Sequence, residues 1–340
     1  MLNWINETCV RLAVSVLMPI RDFLTDPTSR YFWVYCATGL AIAAIVHSQR
    51  NEARSFRDTL FDRNVWASKS AINDYLILAV TPMLRLTVLS WAFINWEKVR
   101  DFVVTMLTGF GVSGSVNDAT AITLGIVLTI TLFVVDDFLR WLAHYTFHRI
   151  PELWEFHKVH HSAEVLNFAT AERHHPVEVL MTAALLTTAF GVINGLFIAF
   201  FGDKVTVSTV AGANIFLFAF NIAGGALRHS PFWISFGPRV EKWIISPAMH
   251  QIHHSDKPEH YDRNMGGSLA VWDRMFGTLH IPRGREIEGF GIGAETPDFR
   301  SFEVIMLRPF QAAARLLRRR FQAAAPAATE PASMRAPAEV

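Results

Sequence analysis

Histidine is where the chemistry of this sequence concentrates. It occurs fourteen times in 340 residues, and thirteen of the fourteen fall between His144 and His280. Three clusters stand out: His144-Tyr-Thr-Phe-His148, His157-Lys-Val-His160-His161 and, about 90 residues later, His250-Gln-Ile-His253-His254. On a helix, positions i, i+3 and i+4 share a face, so each cluster can aim its rings into a single pocket. Neutral imidazole is the commonest metal ligand, and a nitrogen-rich set without sulfur suits iron, copper, zinc or nickel better than calcium or magnesium. A closed zinc site takes four ligands and a catalytic one about three, whereas these clusters hold eight. His229, in Leu227-Arg228-His229-Ser230, makes nine. His174 and His175, in Arg173-His174-His175-Pro176, are adjacent and point apart on any regular element, so at most one is expected to bind metal, and His175 is taken as the tenth candidate. Two metals sharing nine or ten imidazoles is the economical reading. His47, His260 and His280 are read as capping or hydrogen-bonded surface residues. Asp137, Trp141, His144 and His148 follow at i, i+4, i+7 and i+11 on one helical stripe, so Asp137 is expected to accept an N–H from a ligating ring and fix its tautomer. Glu178 and Asn221 are further polar groups in apolar surroundings that need partners.

The elements that must position these rings are apolar. Hydrophobic residues make up 51% of the chain and charged residues 18%, with a mean hydropathy of +0.25, against about 25% charged in ordinary soluble domains. Lys plus Arg (31) nearly balances Asp plus Glu (30), which leaves no basic field for nucleic acid. Cys9 and Cys36 are too few for a disulfide framework or a thiolate cage. Five stretches approach the roughly 20 apolar residues of a membrane span: Tyr31–His47, Leu76–Trp96 (with Arg85 inside it), Ala119–Val135, Val177–Phe201 and Val205–Ala226. The last two are separated only by Gly202-Asp203-Lys204 and read as a tight hairpin. Five spans put the Arg-bearing loops and every clustered histidine on one face, which the bias of Lys and Arg makes cytoplasmic. Glu97–Asp118 reads as a loop on the opposite side. Met1–Glu7 has no basic n-region, so no cleavable signal is expected. Ser301–Phe321 reads as a basic amphipathic helix on the membrane surface, and the Ala- and Pro-rich end as a disordered tail. The expected fold is therefore all-α: a multi-pass transmembrane helical bundle with a cytoplasmic helical cap carrying a histidine-rich dimetal site. Its expected parts are a membrane region 1–120, a catalytic domain 121–300, the amphipathic helix 301–322 and the tail 323–340.

Taken together, the HxxxH, HxxHH and distant HxxHH boxes around a hydrophobic hairpin resemble the fatty acid hydroxylase/sterol desaturase superfamily of integral-membrane di-iron oxygenases. Further residues agree: Asp137 seven before His144, Phe156-His157-Lys158-Val159-His160-His161-Ser162 as the second box, Arg173-x-His175-Pro176-x-Glu178, His229-Ser230, and Asn264-Met-Gly-Gly-Ser-Leu-Ala-Val-Trp272-Asp273-Arg274-Met-Phe276-Gly277-Thr278 as the closing signature. The likeness covers roughly Asp136–Thr278. One departure is that Gly225 stands four before the isolated His229, where some relatives carry a further histidine. No His-Pro-Gly-Gly haem segment occurs, so electrons are expected from a separate donor, a cytochrome b5-like protein or a ferredoxin with its reductase.

The resemblance implies two iron ions held by His144, His148, His157, His160, His161, His229, His250, His253 and His254, with His175 joining them and Asp137 and Asn264 supporting them. It implies O2 as co-substrate and oxidation of an unactivated C–H bond in a lipid drawn from the bilayer, hydroxylation before desaturation. Two rivals follow from the same residues. A membrane zinc hydrolase needs three or four ligands and a carboxylate base, as in HExxH, which is absent. A metal-storing or metal-transporting protein needs polar groups along its spans, which hold little beyond Arg85, Asn194, Asn214 and Asn221.

Overall fold

The computed structural model describes residues 24–50, 54–84, 95–210 and 212–324. Cys9, Arg85, Met1–Glu7 and the end of the chain from 325 lie outside them. The described chain is helical, with one two-stranded hairpin, Thr209–Val210 against Ala213–Asn214. The α-helices, in order, are α1 (Trp33–Gln49), α2 (Phe56–Leu60), α3 (Arg63–Trp66), α4 (Lys69–Leu84), α5 (Trp96–Gly109), α6 (Asp118–Arg149), α7 (Pro151–His161), α8 (Pro176–Phe201), α9 (Ile215–Ile222), α10 (Pro247–His253), α11 (Val271–Phe276) and α12 (Phe302–Ala324).

Among the described residues two helices are long and apolar enough to cross a bilayer, α6 with 32 residues and α8 with 26. At 1.5 Å per residue they are about 48 and 39 Å long, against a hydrocarbon core of about 30 Å. They run antiparallel: Ala121, Leu128 and Leu132 near the start of α6 pack with Ile193, Phe197 and Phe201 near the end of α8. The C-terminal end of α6 and the N-terminal end of α8 therefore lie together. Both carry chemistry-bearing residues, since α6 ends in the first histidine box and α8 begins two residues before Glu178.

The expected five spans are corrected in part. The first stretch forms the 17-residue α1, about 25 Å long, and the second runs beyond the described residues. The fifth, Val205–Ala226, is not one helix. It begins extended, turns at Gly212 (φ +94°) and resumes as the eight-residue α9. The run Val205-Thr-Val-Ser-Thr-Val210 is mostly β-branched and disfavours a helix. The side of α6 takes the hairpin: Thr129 Oγ1 accepts from Ser208 N–H (2.7 Å), and Asn214 Nδ2 donates to Thr129 O (3.1 Å). Gly125 makes room, because a Cβ there would lie 2.6 Å from Thr206 O.

The presumed loop Glu97–Asp118 is also mostly helix. Asn95 caps α5 by accepting from Glu97 N–H, and the helix docks on α8 over Gly191 and Gly195. A Cβ on Gly191 would come within 2.6 Å of Trp96 O, and one on Gly195 within 2.7 Å of Val103 Cβ. Close approach of this kind is what paired small residues at i and i+4 allow. The amphipathic α12 is present and packs on the domain: Ile305 shares a buried cluster with Ile77, Val159 and Phe299, and Arg320 pairs with Glu152 at 2.8 Å. Leu307, Phe310, Leu317 and Phe321 remain exposed on it.

Candidate metal centre

The junction between α6 and α7 is a proline elbow. Ile150 is extended (φ −98°, ψ 113°) because a residue before proline avoids the helical region, and Pro151 opens α7, where its missing N–H costs nothing. The elbow folds the first box onto the second. His144 and His148 ring centroids lie 4.7 and 4.9 Å from that of His157, and His148 lies 4.9 Å from His161.

The third box lies on α10, every residue of which is buried, and ends at its C-cap His254, also buried. Ser246 caps it, accepting from Met249 N–H (3.2 Å) while donating to Glu241 (2.6 Å). His229 closes the set from the end of a 3-10 turn, Gly225–His229. Gly224 enters that turn at φ +98°, and a Cβ on Gly225 would lie 2.3 Å from the Phe220 ring. A side chain at Gly225 would require the Phe220 ring to move.

Nine of the ten expected histidines converge, in two adjoining groups: His144, His148, His157, His161 and His253 in one, and His160, His229, His250 and His254 in the other. The expectation that each box serves one pocket is corrected. In the second box i and i+4 join the first group and i+3 the second; in the third box the assignment is reversed. At 3.6 residues per turn, i and i+4 diverge by only about 40° whereas i+3 and i+4 diverge by about 100°. A box therefore feeds two neighbouring centres, and the two boxes meet there in opposite sense, with His161 4.6 Å from His253 and His160 4.5 Å from His254.

The nitrogens fit metal ions better than one another. The Nε2 atoms of His144, His148, His157, His161 and His253 are buried without a hydrogen-bond partner. In the second group the three Nε2 atoms of His229, His250 and His254 form a triangle with sides of 3.0, 3.2 and 3.2 Å. Each nitrogen of a neutral imidazole either donates or accepts, so three mutual contacts cannot all be hydrogen bonds. Two nitrogens about 2.1 Å from one ion, at roughly 90–110°, lie about 3.0–3.4 Å apart, as these do. Burial first, then neighbouring charge, holds His160, His161, His229, His250, His253 and His254 well below the ordinary imidazole value of 6.5. They are therefore neutral, as ligands must be.

The first group is braced from behind. His157 Nδ1 donates to Glu178 (2.9 Å), His148 Nδ1 to Asp262 (3.1 Å), His144 Nδ1 to Met265 O (2.8 Å) and His253 Nδ1 to Arg263 O (2.7 Å). Each bond fixes the tautomer that leaves Nε2 free for a metal.

Three of the expected residues, His175, Asp137 and Asn264, stand apart from the two groups of rings. His175 stands outside both groups and has both nitrogens engaged. It caps α8, where Nδ1 accepts from Val177 N–H (3.2 Å), and Nε2 donates to Met306 O (3.1 Å). Its neighbour His174 is the closer one, stacked on His160 at 4.3 Å and sharing Glu178 with His157. Asp137 touches no imidazole. Its carboxylate accepts from Ser268 N–H (2.7 Å), Leu269 N–H (3.1 Å) and Trp272 Nε1–H (2.9 Å), so it shapes the loop whose Met265 carbonyl holds His144. Asn264 likewise meets no ring: in a left-handed conformation (φ +55°) it donates to Met249 O (3.0 Å) and His280 O (2.9 Å). Asp and Asn tolerate that conformation better than most residues.

Sequence reasoning missed Asp74 and Asp262, and it quoted Asp273 only within the closing signature, with no role assigned. Asp273 accepts from Met265 and Gly266 N–H (2.8 Å each) and from Trp141 (3.2 Å), completing the loop that Asp137 begins. Asp74 pairs with Arg173 at 2.7 Å, both fully buried, and Arg173 also binds Val159 O and Ser162. Asp74 carries a signal in the sequence, a carboxylate beside the apolar run Tyr75–Val80; Asp273 carries one in its place within the closing signature, and Asp262 carries none.

The fatty acid hydroxylase family matches residues 129–278, the segment holding all nine converging histidines. Among curated proteins the chain is similar to the alkylglycerol monooxygenase of Caenorhabditis elegans, 27% identical over 148 residues, 44% of this chain and 26% of that protein. The alkylglycerol monooxygenase of Danio rerio is 31% identical over 142 residues, 41% of this chain and 28% of its own length. The ornithine lipid hydroxylase of Rhizobium tropici is 27% identical over 151 residues, 44% and 40%. The matches thus span from about a quarter to two-fifths of those relatives' lengths. No solved structure matches the chain. The superfamily read from the histidine spacing is the one these matches support.

Proposed function

We propose that this protein is a membrane-embedded, O2-dependent di-iron hydroxylase acting on an unactivated C–H bond of a membrane lipid. The reading is carried by nine imidazoles in two adjoining groups, seven of them buried and two partly so, with five converging Nε2 atoms in the first group that lack hydrogen-bond partners. A zinc hydrolase needs only three or four such ligands. A transport path needs ligands along the helices rather than gathered at one end of α6 and α8. Two irons held by these nine histidines would supply the O2 reduction and C–H oxidation that side chains alone do not provide.

The chain's own part is to hold and to exclude. Glu178 and Asp262 keep His157 and His148 in the Nδ1–H form, and burial keeps water from a reactive centre. The site lies where α6 and α8 end together, a position from which an apolar chain can enter from the bilayer. Arg140 and Arg149 flank it on α6, which favours the cytoplasmic side. The monooxygenase and hydroxylase relatives are named for an alkylglycerol and an ornithine lipid, which favours a polar membrane lipid over a sterol. Electrons would come from a separate cytochrome b5-like or ferredoxin donor.

Comparative lipid mass spectrometry of cells with and without the gene tests the activity: a lipid gaining 16 mass units supports hydroxylation, and a loss of 2 makes the enzyme a desaturase. His160→Ala and His253→Ala, one in each group, should each lower bound iron and abolish product while the protein stays in the membrane. Full turnover by either variant would overturn the reading.

A further inference from the structure

Outside the two imidazole groups, His260, His280 and Glu286 come together. His280 Nε2 lies 2.8 Å from Glu286 Oε2, and His260 Nε2 lies 3.6 Å from the same oxygen, with the two rings 5.4 Å apart. Two of the three are pinned by their surroundings. The His280 main chain is clamped by Asn264, its N–H donating to Oδ1 (2.7 Å) and its carbonyl accepting from Nδ2 (2.9 Å). Glu286 Oε1 accepts from Arg283 N–H (2.6 Å), which leaves Oε2 facing the histidines.

A plain ion pair between His280 and Glu286 explains those two residues and leaves the third unexplained. His260 is 2% exposed, its Nδ1 is buried without a partner, and its Nε2 has only the carboxylate at 3.6 Å, beyond hydrogen-bond reach. A buried imidazole with neither nitrogen hydrogen-bonded is costly. An ion shared by the three would give His260 Nε2 a close partner that the carboxylate at 3.6 Å does not provide, while Nδ1 keeps its place in the interior. Nitrogen and oxygen ligands about 2.0–2.1 Å from a tetrahedral zinc ion stand about 3.3 Å apart, and the 2.8 and 3.6 Å separations bracket that value.

We propose that His260, His280 and Glu286 form a third, mononuclear site for a zinc-class divalent ion, separate from the nine-histidine centre. Two imidazoles and one carboxylate suit zinc better than calcium or magnesium, and His280 and Glu286 border a surface groove together with Trp233, Leu279 and Arg283. The ion acts as a staple. The turn that begins at His260 carries Asp262 and Arg263, the residues that brace His148 and His253. Asp262 stands at φ +58° and Asn264 at φ +55°, and an anchor at His260 holds that turn closed.

The test counts metal. Full-length protein in detergent is equilibrated with Zn2+ alone, freed of loose ion, and assayed for zinc per chain by mass spectrometry. Glu286→Gln and His280→Ala, both at partly exposed positions, should each bind one equivalent fewer than the parent. The same one-equivalent loss should appear when they are combined with His160→Ala, which separates this site from the nine-histidine centre. Zn2+ should also raise the melting temperature of the His160→Ala protein more than that of His160→Ala combined with Glu286→Gln. Equal zinc content with and without Glu286→Gln would overturn the proposal, whatever the fate of the di-iron reading.

Discussion

A carboxylate serving two rings is the most exposed dependency among the individual residues. Glu178 accepts from His157 and His174 with one oxygen, at 2.9 Å each, while its other oxygen is buried without a partner. Glu178→Gln keeps the shape but offers a neutral acceptor. Loss of such outer partners typically costs about 10–100-fold in metal affinity, so chelator competition should show a drop in that range. Unchanged affinity would mean the carboxylate is only a packing residue. His175 makes the opposite case. Because it caps α8 rather than facing the cluster, His175→Asn should keep both the cap and a full complement of metal, whereas His175→Ala should lose about 1 kcal/mol of stability through the cap. Loss of metal from the Asn variant would return His175 to the ligand set.

Between elements, the assembly depends on close approach and sharp turns. The elbow at Ile150-Pro151 brings two boxes together that would otherwise point along one long helix. On the other side of the bundle, α5 reaches α8 only because Gly191 and Gly195 present no side chain to it. Gly195→Val would place carbon where Val103 Cβ and Arg100 O already stand, within 2.7 and 2.9 Å. Overpacking of this kind costs roughly 1–3 kcal/mol, and limited proteolysis should cut the α5 region faster in the variant. An unchanged cleavage pattern would show that α5 docks by other contacts.

At the scale of the molecule, the site is held by contacts between parts far apart in sequence. Asp74 on α4 meets Arg173 from the loop after the second box, and Arg173 in turn ties that loop to Val159 and Ser162. Both partners of the ion pair are fully buried. Removing one leaves an uncompensated charge, which costs about 3–5 kcal/mol. Asp74→Ala should therefore lower thermal stability sharply, and Asp74→Ala with Arg173→Met should recover part of the loss. A double variant no better than the single one would argue against a charge-pair role.

The sequence alone determined the nature of the centre. Ligand type, ligand number and i, i+3, i+4 spacing are local properties, and helical periodicity turns them into geometry without further information. The two long apolar helices and the amphipathic α12 were legible for the same reason, since length and hydropathy are written residue by residue. Only the tertiary structure decided how the rings are shared. Which of the two histidine groups a ring at i+3 joins depends on the angle at which α7 and α10 meet, and no spacing encodes that. The same holds for His175 and Asp137. A histidine before proline and an aspartate seven before a ligand look alike whether they bind metal, cap a helix or hold a loop, because the deciding partners, Met306 and the 268–272 backbone, are brought in by packing from more than a hundred residues away. The fifth apolar stretch misled because hydropathy reports burial and not conformation, and there the β-branched run and Gly212 outweighed it.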